Sequence, residues 1–453
     1  MRLLNRLLYF IPAAAIAALL LLLVVVDGHG CSATGVAVDP SNKARYDHFR
    51  IYRVLLENEE QVQLMQQLEN RSDSYTFMGH ARHTNQNLTI MVAPQKIAEM
   101  TDLMERFKIG GSVLLYNIQD LIDKEDSTVM PKKTSPEQFD WQHYFHLDTI
   151  HKWLDLQVSK HPSILQSIPL EASYEGNLLK GVKLSKKQGN TAVFVECGIH
   201  AREWISPAVC TYILNELLTS TDADIQDLAE NFDWFFFPIV NPDGYKYTFE
   251  ADRLWRKNRK PYGICRGVDL NRNFESDWNG IGASSDPCAY DFAGGSAASE
   301  SETQVLQKFL KENAHTSRIK TYFSMHSFSQ LIMFPYGYTA DKVQNYDDLQ
   351  TIGERGSEAI RRSHGKEYLS GAMIETIYPS SGDSVDWVFS ECGVPVAFTF
   401  ELRGPPDSTN MFILPAEEIV PTGEETLAAY VAMLKAAREL GYYGSGETHK
   451  GEL

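Results

Sequence analysis

The sequence carries little positive charge relative to negative charge. Its 453 residues include 42 Lys and Arg against 59 Asp and Glu, which gives a formal net charge of −17. Nucleic acid is therefore excluded as a main partner, because binding to phosphate needs a basic surface. Internal repeats and low-complexity tracts are also lacking, so a repeat architecture is not indicated. A hydrophobic content of 43% is that of a globular protein with a full core, and the length allows two or three domains.

Apolar runs of membrane length are absent except at the N-terminus. Arg2 and Arg6 flank the start of an apolar run at 7–26, and small or polar residues follow it. This order predicts a secretory signal peptide over residues 1–33. With about 20 residues the run is also long enough to span a bilayer, so a retained signal-anchor is the alternative. The chain would then be a membrane-anchored interaction protein, and the mature protein would keep its N-terminus.

Cysteine is scarce, with six residues in the chain. Disulfides are expected in an exported protein, although spacing alone does not fix their connectivity. Two pairs lie close together in sequence: Cys197 with Cys210, and Cys265 with Cys288. Cys31 would leave with a signal peptide, and Cys392 is expected to be a buried thiol beside a strand.

A small module is predicted over residues 46–122. Its apolar spacing indicates strands at 49–56, 88–92 and 112–118 and helices at 59–68 and 94–107, with room for one more strand near Phe77. This order is that of a compact α+β sandwich. Two glycosylation sequons, which begin at Asn70 and Asn87, fall in the module and weakly favour export.

Residues 123–136 differ in composition from what precedes them. The segment is charged, has two prolines and shows no apolar periodicity. It is therefore predicted to be an exposed linker, in which Lys132-Lys133 is a candidate cleavage site for a trypsin-like protease. A plain solvated loop is the alternative. A small domain followed by a basic, exposed hinge is the organisation of a zymogen.

Strands and helices alternate from residue 137 to residue 443. Near-continuous apolar runs predict strands that are buried on both faces, at 193–197, 234–240, 321–325 and 396–400. Helices are predicted between them, among others at 207–218, 299–312, 349–363 and 424–440. The predicted fold class is therefore α/β, with a mixed central β-sheet flanked by helices, and with the small α+β domain before it. Residues 444–453 are predicted to form a polar tail.

His200 and Glu203 are candidate metal ligands. Positions i and i+3 lie on one side of a helical turn, so both side chains can face one ion. The same spacing recurs at 364–367 and 449–452, where the polar surroundings indicate solvated surface, whereas His200 follows a buried strand and opens a helix. A catalytic zinc needs three protein ligands and an open position for water. His326 also ends a buried strand and is the candidate third ligand, with a hydrogen-bonded core histidine as the alternative.

A carboxylate and two arginines are further candidates. Glu401 ends an apolar strand, where a carboxylate is costly unless it is paired or acts as a general base with a raised pKa. An ion pair with Arg403 is the alternative. Arg256 and Arg272 could each grip a carboxylate through two coplanar hydrogen bonds. Surface arginines are far commoner than such clamps, so neither residue is decisive alone.

Several short segments occur in a fixed order along the chain: Gly198-Ile-His200-Ala-Arg-Glu203-Trp204, Asn241-Pro-Asp-Gly-Tyr245, Asp269-Leu-Asn-Arg-Asn273, His326-Ser327 and Phe398-Thr-Phe-Glu401-Leu402. Together they resemble the pancreatic-type A/B metallocarboxypeptidases. The likeness covers nearly the whole chain after the signal, and the module that contains Met91-Val-Ala-Pro94 resembles that family's activation peptide. The resemblance implies a secreted zinc enzyme, made as a zymogen, that hydrolyses the C-terminal peptide bond.

The resemblance also implies a role for each candidate. The ligands of one Zn²⁺ would be His200, Glu203 and His326. Glu401 would take a proton from the attacking water and pass it to the leaving amine, and Arg256 would stabilise the oxyanion. Asp269 would orient a zinc histidine from behind.

Substrate binding is implied at a second set of positions. The terminal carboxylate would be held by Asn271, Arg272 and Tyr378, with Arg202 as a secondary contact to the substrate backbone. Val385 falls where an apolar residue indicates a preference for hydrophobic or aromatic C-termini, and Met373 and Gly337 fit an apolar pocket. Asp383 stands where glycine is common and could reach a basic substrate, so mixed specificity is the alternative. Phe328 replaces a frequent tyrosine, which we expect to be tolerated.

The resemblance implies disulfides and partners as well. Cys265 and Cys288 would form the family's common disulfide, and Cys197 and Cys210 a bridge found in some members. The expected partners are peptide C-termini as substrates and an activating trypsin-like protease, with a monomeric enzyme free of the membrane after signal removal. Two rivals share the fold. An inactive binding protein is disfavoured because every expected core position is filled. A prohormone-processing carboxypeptidase would lack the activation module and carry an extra β-domain after the catalytic one.

Overall fold

The computed structural model describes residues 37–38, 43–69, 74–79, 81–316, 318–406 and 408–443. The predicted signal, Cys31, the Asn70 sequon, the pair at 449–452 and the polar tail therefore lie outside the described residues. Within the described part of the chain, no helix combines the length and the apolar composition that crossing a bilayer requires.

The N-terminal domain is a four-stranded antiparallel sheet with the strand order β4-β5-β3-β6. Its elements are β3 (Arg50–Leu56), α1 (Glu59–Glu69), β4 (Tyr75–Phe77), β5 (Gln86–Val92), α2 (Ile97–Arg106) and β6 (Gly110–Leu115), preceded by the short pair β1 (Ala37–Val38) and β2 (Ala44–Arg45). The structure thus contains each predicted strand and helix of this module, including the strand at Phe77.

Both faces of this sheet are buried. Alternate residues of its strands point to opposite faces, and each face packs against a different part of the protein. Tyr52 and Val54 of β3 pack with the two helices in the domain's own core. Ile51 of β3 and Met91 of β5 point the other way and pack against the larger domain, through Leu254, Phe328, Met411, Phe412 and Ile413. The sheet therefore docks on the second domain through one of its faces.

The predicted linker differs from the structure at its start. Helix α3 (Gln119–Asp126) continues into the segment predicted to be linker, and its residues Ile122 and Glu125 are buried. The charged composition concealed this helix because the partner of Glu125 is Arg253, far away in sequence. Lys132 and Lys133 follow in an exposed turn.

The larger domain is built on an eight-stranded mixed sheet, with the order β15-β14-β16-β13-β9-β10-β8-β7. Its strands are β7 (Leu165–Ala172), β8 (Leu178–Leu184), β9 (Thr191–Cys197), β10 (Phe232–Phe237), β13 (Ile319–His326), β14 (Leu331–Phe334), β15 (Leu369–Ala372) and β16 (Val396–Glu401), and a separate hairpin is formed by β11 (Pro261–Tyr262) and β12 (Cys265–Arg266). The four central strands β10, β9, β13 and β16 run parallel. Their carboxyl ends therefore meet at one edge, where sites form in such sheets.

Helices cover the sheet on both sides. They are α4 (Leu147–Lys160), α5 (Ile205–Thr219), α6 (Ala223–Asn231), α7 (Pro242–Glu250), α8 (Ser301–Thr316), α9 (Tyr346–His364), α10 (Met373–Thr376), α11 (Ser384–Cys392) and α12 (Ile419–Glu439). Alternate residues of β9 enter two separate cores: Val193 and Val195 pack with α5 and α12, whereas Phe194 packs with α8. This double burial explains the continuous apolar runs and confirms the predicted fold class.

The structure confirms one predicted disulfide and contradicts the other. Cys265 and Cys288 are bonded. Cys197 and Cys210 are free, buried thiols, so the bridge expected between them is wrong. Burial, and then the neighbouring Cys210, raises the pKa of the Cys197 thiol, which suppresses the thiolate that disulfide exchange requires. Cys392 is a buried free thiol, as expected.

Candidate metal centre and active site

Three potential ligands converge at the carboxyl ends of β9 and β13. His200 and Glu203 lie in the turn that precedes α5, not within a helix, and this turn places His200 Nδ1 2.8 Å from Glu203 Oε1. His326 is the last residue of β13. Its Nδ1 is 3.0 Å from His200 Nδ1 and 3.3 Å from Glu203 Oε2. The side chains of the three residues thus converge, although His200 and His326 are 126 positions apart in sequence.

This donor set fits zinc. Two imidazole nitrogens and one carboxylate oxygen lie within 4.8 Å of one another, and all three residues are buried. The outer nitrogens are occupied, since His200 Nε2 is 3.1 Å from Asp269 Oδ1 and His326 Nε2 is 3.0 Å from Ser324 Oγ. The Nδ1 atoms are therefore the ones that face the centre. Three protein ligands with one side left for water is the arrangement of a catalytic zinc.

Asp269 connects three parts of the site. Its Oδ1 accepts hydrogen bonds from His200 and from the backbone N–H of Asn271, at 3.1 and 3.0 Å. Its Oδ2 accepts from Arg256 Nε at 2.9 Å. Burial would raise the pKa of this carboxyl, but Arg256 and His200 hold that pKa well below its usual range. An ionised Asp269 therefore contacts the histidine, as the resemblance implied, and also the arginine, which was not predicted.

Glu401 lies beside the three ligands because β16 and β13 pair in register, His326 opposite Glu401. Its side chain lines the same cavity as the three ligands. Burial raises the pKa of Glu401 to about 8, against the opposing charge of His326. The alternative partner, Arg403, is bound instead to Glu425 and Glu418. Glu401 is therefore left to face the cavity.

Arg272, Asn271 and Tyr378 line this cavity as well. Arg272 is held by its Nε, which donates to the Gly282 carbonyl at 2.8 Å, and by its Nη1, which donates to the Asn271 carbonyl at 2.7 Å. Asn271 is fixed through its side-chain oxygen, which accepts from Ser384 N–H at 2.9 Å. The structure thus brings together the residues expected to bind a terminal carboxylate.

The wall of the cavity is apolar on one side. Met333, Met373 and Ile377 line it, with Thr399 nearby. Val385 was predicted to line the pocket, but it is not among the lining residues. Its side chain is 1% exposed and packs in the same cluster as Met333 and Met373. Val385 therefore supports the wall from behind.

Asp383 is fully buried at the start of α11. Its Oδ1 accepts from Asp386 N–H at 3.1 Å and its Oδ2 accepts from Ser380 Oγ–H at 3.2 Å. Burial raises the pKa of Asp383 to about 6. Oδ1 thus caps the helix by satisfying an orphan backbone donor, and Oδ2 is held by a side-chain hydroxyl. Gly337 permits the tight packing here, since a Cβ would lie 2.5 Å from Met373 Cε.

The N-terminal domain closes the cavity. Phe77, the last residue of β4, and the following Met78 and Gly79 line it together with the metal-centre residues. The domain therefore occupies part of the space around the centre that a peptide would need.

Two features of the site were not predicted from the sequence. Arg253 stacks over the Trp204 ring at 3.7 Å and binds Glu125 of α3 through two hydrogen bonds, at 2.5 and 2.9 Å. Phe412 packs under the Arg202 guanidinium, 3.9 Å from the ring centre. These contacts join segments that are distant in sequence, so no local spacing pattern indicates them.

Comparison with known proteins gives the relatives of this chain. Residues 150–429 match the zinc carboxypeptidase family, and residues 52–125 match the carboxypeptidase activation peptide. The chain belongs to the zinc carboxypeptidase family. It is thus a peptide hydrolase that acts as an exopeptidase, with zinc as its cofactor and an activation peptide that makes it a zymogen.

Individual relatives agree with this assignment. Zinc carboxypeptidase A 1 of Anopheles gambiae is 42% identical over 412 residues, which cover 91% of this chain and 94% of that protein. Carboxypeptidase B of Rattus norvegicus is 31% identical over 414 residues, covering 89% and 97%. The crystal structure of thrombin activatable fibrinolysis inhibitor superposes with a TM-score of 0.78 at 31% identity, covering 87% of this chain and 99% of that one. Both A-type and B-type enzymes occur among these relatives, so the C-terminal preference rests on the cavity itself.

Proposed function

We propose that the protein is a secreted procarboxypeptidase whose mature enzyme prefers hydrophobic or aromatic C-terminal residues. The observation that carries the proposal is the apolar wall of Met333, Met373 and Ile377 in the cavity that also holds Arg272. A preference for basic residues would need a free carboxylate in this wall. Asp383 is the candidate from the sequence, but it is not among the residues that line the cavity, and its two oxygens accept from Asp386 N–H and Ser380 Oγ–H.

The catalytic steps follow from groups around the centre. His200, Glu203 and His326 would hold the zinc ion, which when bound supplies a Lewis acid that lowers the pKa of water and polarises the scissile carbonyl. Glu401 has a pKa raised to about 8, which suits proton transfer near neutral pH. It would accept a proton from the attacking water at its carboxylate and release it to the leaving nitrogen. Arg256 would face the carbonyl oxygen as negative charge develops there.

Recognition of the chain end would come from Arg272, Asn271 and Tyr378. A planar guanidinium binds a carboxylate through two hydrogen bonds, which gives both strength and orientation. Since this clamp and the centre line one cavity, the last residue of a peptide would lie between them. Arg202, at the mouth of the cavity, would contact the substrate backbone.

Activation would require cleavage after the exposed Lys132-Lys133 turn and departure of the N-terminal domain. Removal of the domain takes Phe77 and its neighbours out of the cavity. The predicted N-terminal signal and the sequon at the exposed Asn87 support passage through the secretory pathway.

The test is a digest of defined peptides by the trypsin-treated, repurified enzyme. Peptides that end in Phe, Leu, Lys, Arg or Asp are followed by mass spectrometry, with and without 1,10-phenanthroline. We expect chelator-sensitive loss of single Phe or Leu residues, at least about 10-fold faster than loss of Lys, because an apolar wall leaves an ammonium group unpaired. Comparable release of Lys or Arg that disappears in Asp383→Gly would establish the basic preference instead. No release from any peptide, with zinc bound, would show an inactive binding protein.

A further inference from the structure

A second cavity, of about 210 Å³, lies beside the active site between the two domains. Arg202, Arg256 and Tyr290 line both cavities, so one leads into the other. The wall that the larger domain contributes is rich in cations. We define the basic groove as the part formed by Arg202, Lys257, Arg259 and Arg266, with the rings of Tyr247 and Trp255 and the exposed Ile264 at its edge.

Positive charge in this groove is unusual for a chain with a net charge of −17. Asp252 is the carboxylate of the larger domain that lines the groove, and it accepts from Tyr46 Oη–H at 2.7 Å and Leu254 N–H at 3.1 Å. Tyr46 leaves with the N-terminal domain, so in the mature enzyme this one carboxylate faces the four cations of the groove. Among the described residues, no carboxylate lies within ion-pair distance of Arg202 or Lys257. Lys257 donates to two backbone carbonyls, and Arg202 Nε is buried without a hydrogen-bond partner. The groove thus holds more positive charge than its own acids neutralise.

Arg259 is held rigidly in this groove. Its guanidinium lies 3.5 Å from the centre of the Tyr247 ring and 4.5 Å from that of Trp255, and its Nε is buried without a hydrogen-bond partner. Within the described part of the chain, its ion-pair contact is with Glu175, and this contact is long at 3.9 Å. Stacking of this kind fixes a guanidinium before a ligand arrives, which lowers the entropy cost of binding.

The N-terminal domain covers the groove in the zymogen. Its wall is formed by Tyr75, Thr76 and Phe77 of β4, with Glu69 of α1 and Met91 of β5. The charged residue of this cover, Glu69, is acidic. Because Phe77 lines both cavities, departure of the domain opens the groove together with the active site.

We propose that the basic groove of the mature enzyme binds acidic side chains of the substrate, upstream of the scissile bond. The inference rests on the proposed function, since it extends the peptide's path away from the C-terminus. An extended chain advances about 3.3 Å per residue, so the residues that reach past Arg202 toward Arg259 are about the third to fifth from the C-terminus. Peptides with Glu or Asp there are predicted to be preferred substrates.

The test compares matched peptides on the mature enzyme. They share length and a C-terminal Phe and carry Glu-Glu, Gln-Gln or Lys-Lys at the third and fourth positions from the end. We expect kcat/KM for the Glu-Glu peptide to exceed that for Lys-Lys by about 10-fold at low salt, and the ratio to approach 1 at 0.5 M NaCl as screening increases. Arg266→Glu and Arg259→Gln should each reduce the ratio, whereas Arg266→Lys should preserve it.

The matched control is Arg362→Glu. It makes the same charge change as Arg266→Glu, on a side chain of α9 that is 74% exposed, and should leave the ratio unchanged. An unchanged ratio in Arg266→Glu, or an equal loss on all three peptides, would overturn the inference. A blocked dipeptide that ends in Phe separates the two proposals in the unmodified enzyme. If it is hydrolysed while the three peptides react equally, only the groove assignment fails. If neither it nor any peptide is hydrolysed, the proposed function itself fails.

Discussion

Asp269 holds three different groups of the candidate active site at once. It binds a histidine of the metal centre, the arginine expected to face the oxyanion, and the turn that carries Asn271. A substitution here should therefore affect metal binding and catalysis together.

Asp269→Asn should weaken zinc affinity by about 10- to 100-fold and lower kcat as well, because the amide no longer fixes the His200 proton on Nε2. Zinc competition with a chromogenic chelator and initial rates measure the two effects. Asp243→Asn is the control, since Asp243 is equally buried but binds Ser173 and Asn177 away from the site. Unchanged zinc affinity in Asp269→Asn would argue against an orienting role.

Glu401→Gln tests the proposed base. The amide keeps the shape of the side chain but cannot accept the proton, so kcat should fall by about 10²- to 10⁴-fold. The zinc content, measured by mass spectrometry, should be retained because Glu401 is not one of the three converging ligands. A variant with near-normal kcat would assign the proton transfer to another group.

Glu302 makes a prediction on stability. Burial raises its pKa to about 7, and its Oε1 has no hydrogen-bond partner. A carboxyl whose pKa is higher in the folded than in the unfolded state binds its proton more tightly when folded. Its contribution to stability is therefore full below the unfolded pKa and is lost as the pH rises toward 7.

Glu302→Gln should abolish this loss. The free energy of unfolding of the variant, relative to the natural protein, should improve by about 2 kcal/mol between pH 5 and pH 8. Urea unfolding of the zymogen at both pH values measures it. Parallel pH profiles of the two proteins would show that Glu302 is ionised in the folded state.

At the scale of elements, helix α3 shows where sequence reasoning stops. The strands of the N-terminal domain and the four central strands of the larger sheet could be predicted, because apolar alternation or continuous apolar runs record which faces are buried. The outer strands β7, β8, β14 and β15 were not predicted. In α3 one of the buried side chains is charged: Glu125 pairs with Arg253, which is 128 residues away in sequence. Composition alone therefore placed the helix in a solvated linker. The candidate ligands His200 and Glu203 were predictable for a different reason, since their local spacing follows a buried strand.

Glu125→Gln should loosen the hold of the N-terminal domain. Breaking a buried ion pair by removing one partner costs about 3–5 kcal/mol, because the remaining charge stays buried. The intact zymogen of this variant should therefore show measurable hydrolysis of a blocked dipeptide, at least about 10-fold above the natural zymogen. The control is Asp126→Asn on the same helix, where the carboxylate is exposed and its pair with Lys43 is long at 3.5 Å. Equal activity in both variants would argue against the pair as an anchor.

At the scale of the whole molecule, one docked face accounts for latency. The sheet face that packs on Phe328 and Phe412 also packs Met78, which lines the cavity. The sequence predicted two domains and the hinge between them, but not which face docks, since Ile51 and Tyr52 are both hydrophobic and buried and point in opposite directions.

Replacing both hinge lysines, Lys132→Gln with Lys133→Gln, should prevent activation by trypsin at this turn. Gel electrophoresis and mass spectrometry of timed digests would show the zymogen persisting and no gain of activity. The control replaces the pair at Lys186 and Lys187, where Lys187 is also exposed, and should activate normally. Normal activation of the hinge variant would place the cut elsewhere.

Because β9, β13 and β16 pair in a fixed parallel register, the site depends on the number of residues in each strand as well as on their identity. His326 and Glu401 lie opposite one another, and each is the last residue of a buried strand. Deleting one residue within β13 would turn every following side chain to the other face and remove His326 from the centre although no functional residue had been substituted. Scanning single-residue deletions through these strands would therefore inactivate the enzyme at positions where exchanging one aliphatic residue for another is tolerated. Insertions and deletions among homologues of this protein should therefore be confined to its loops.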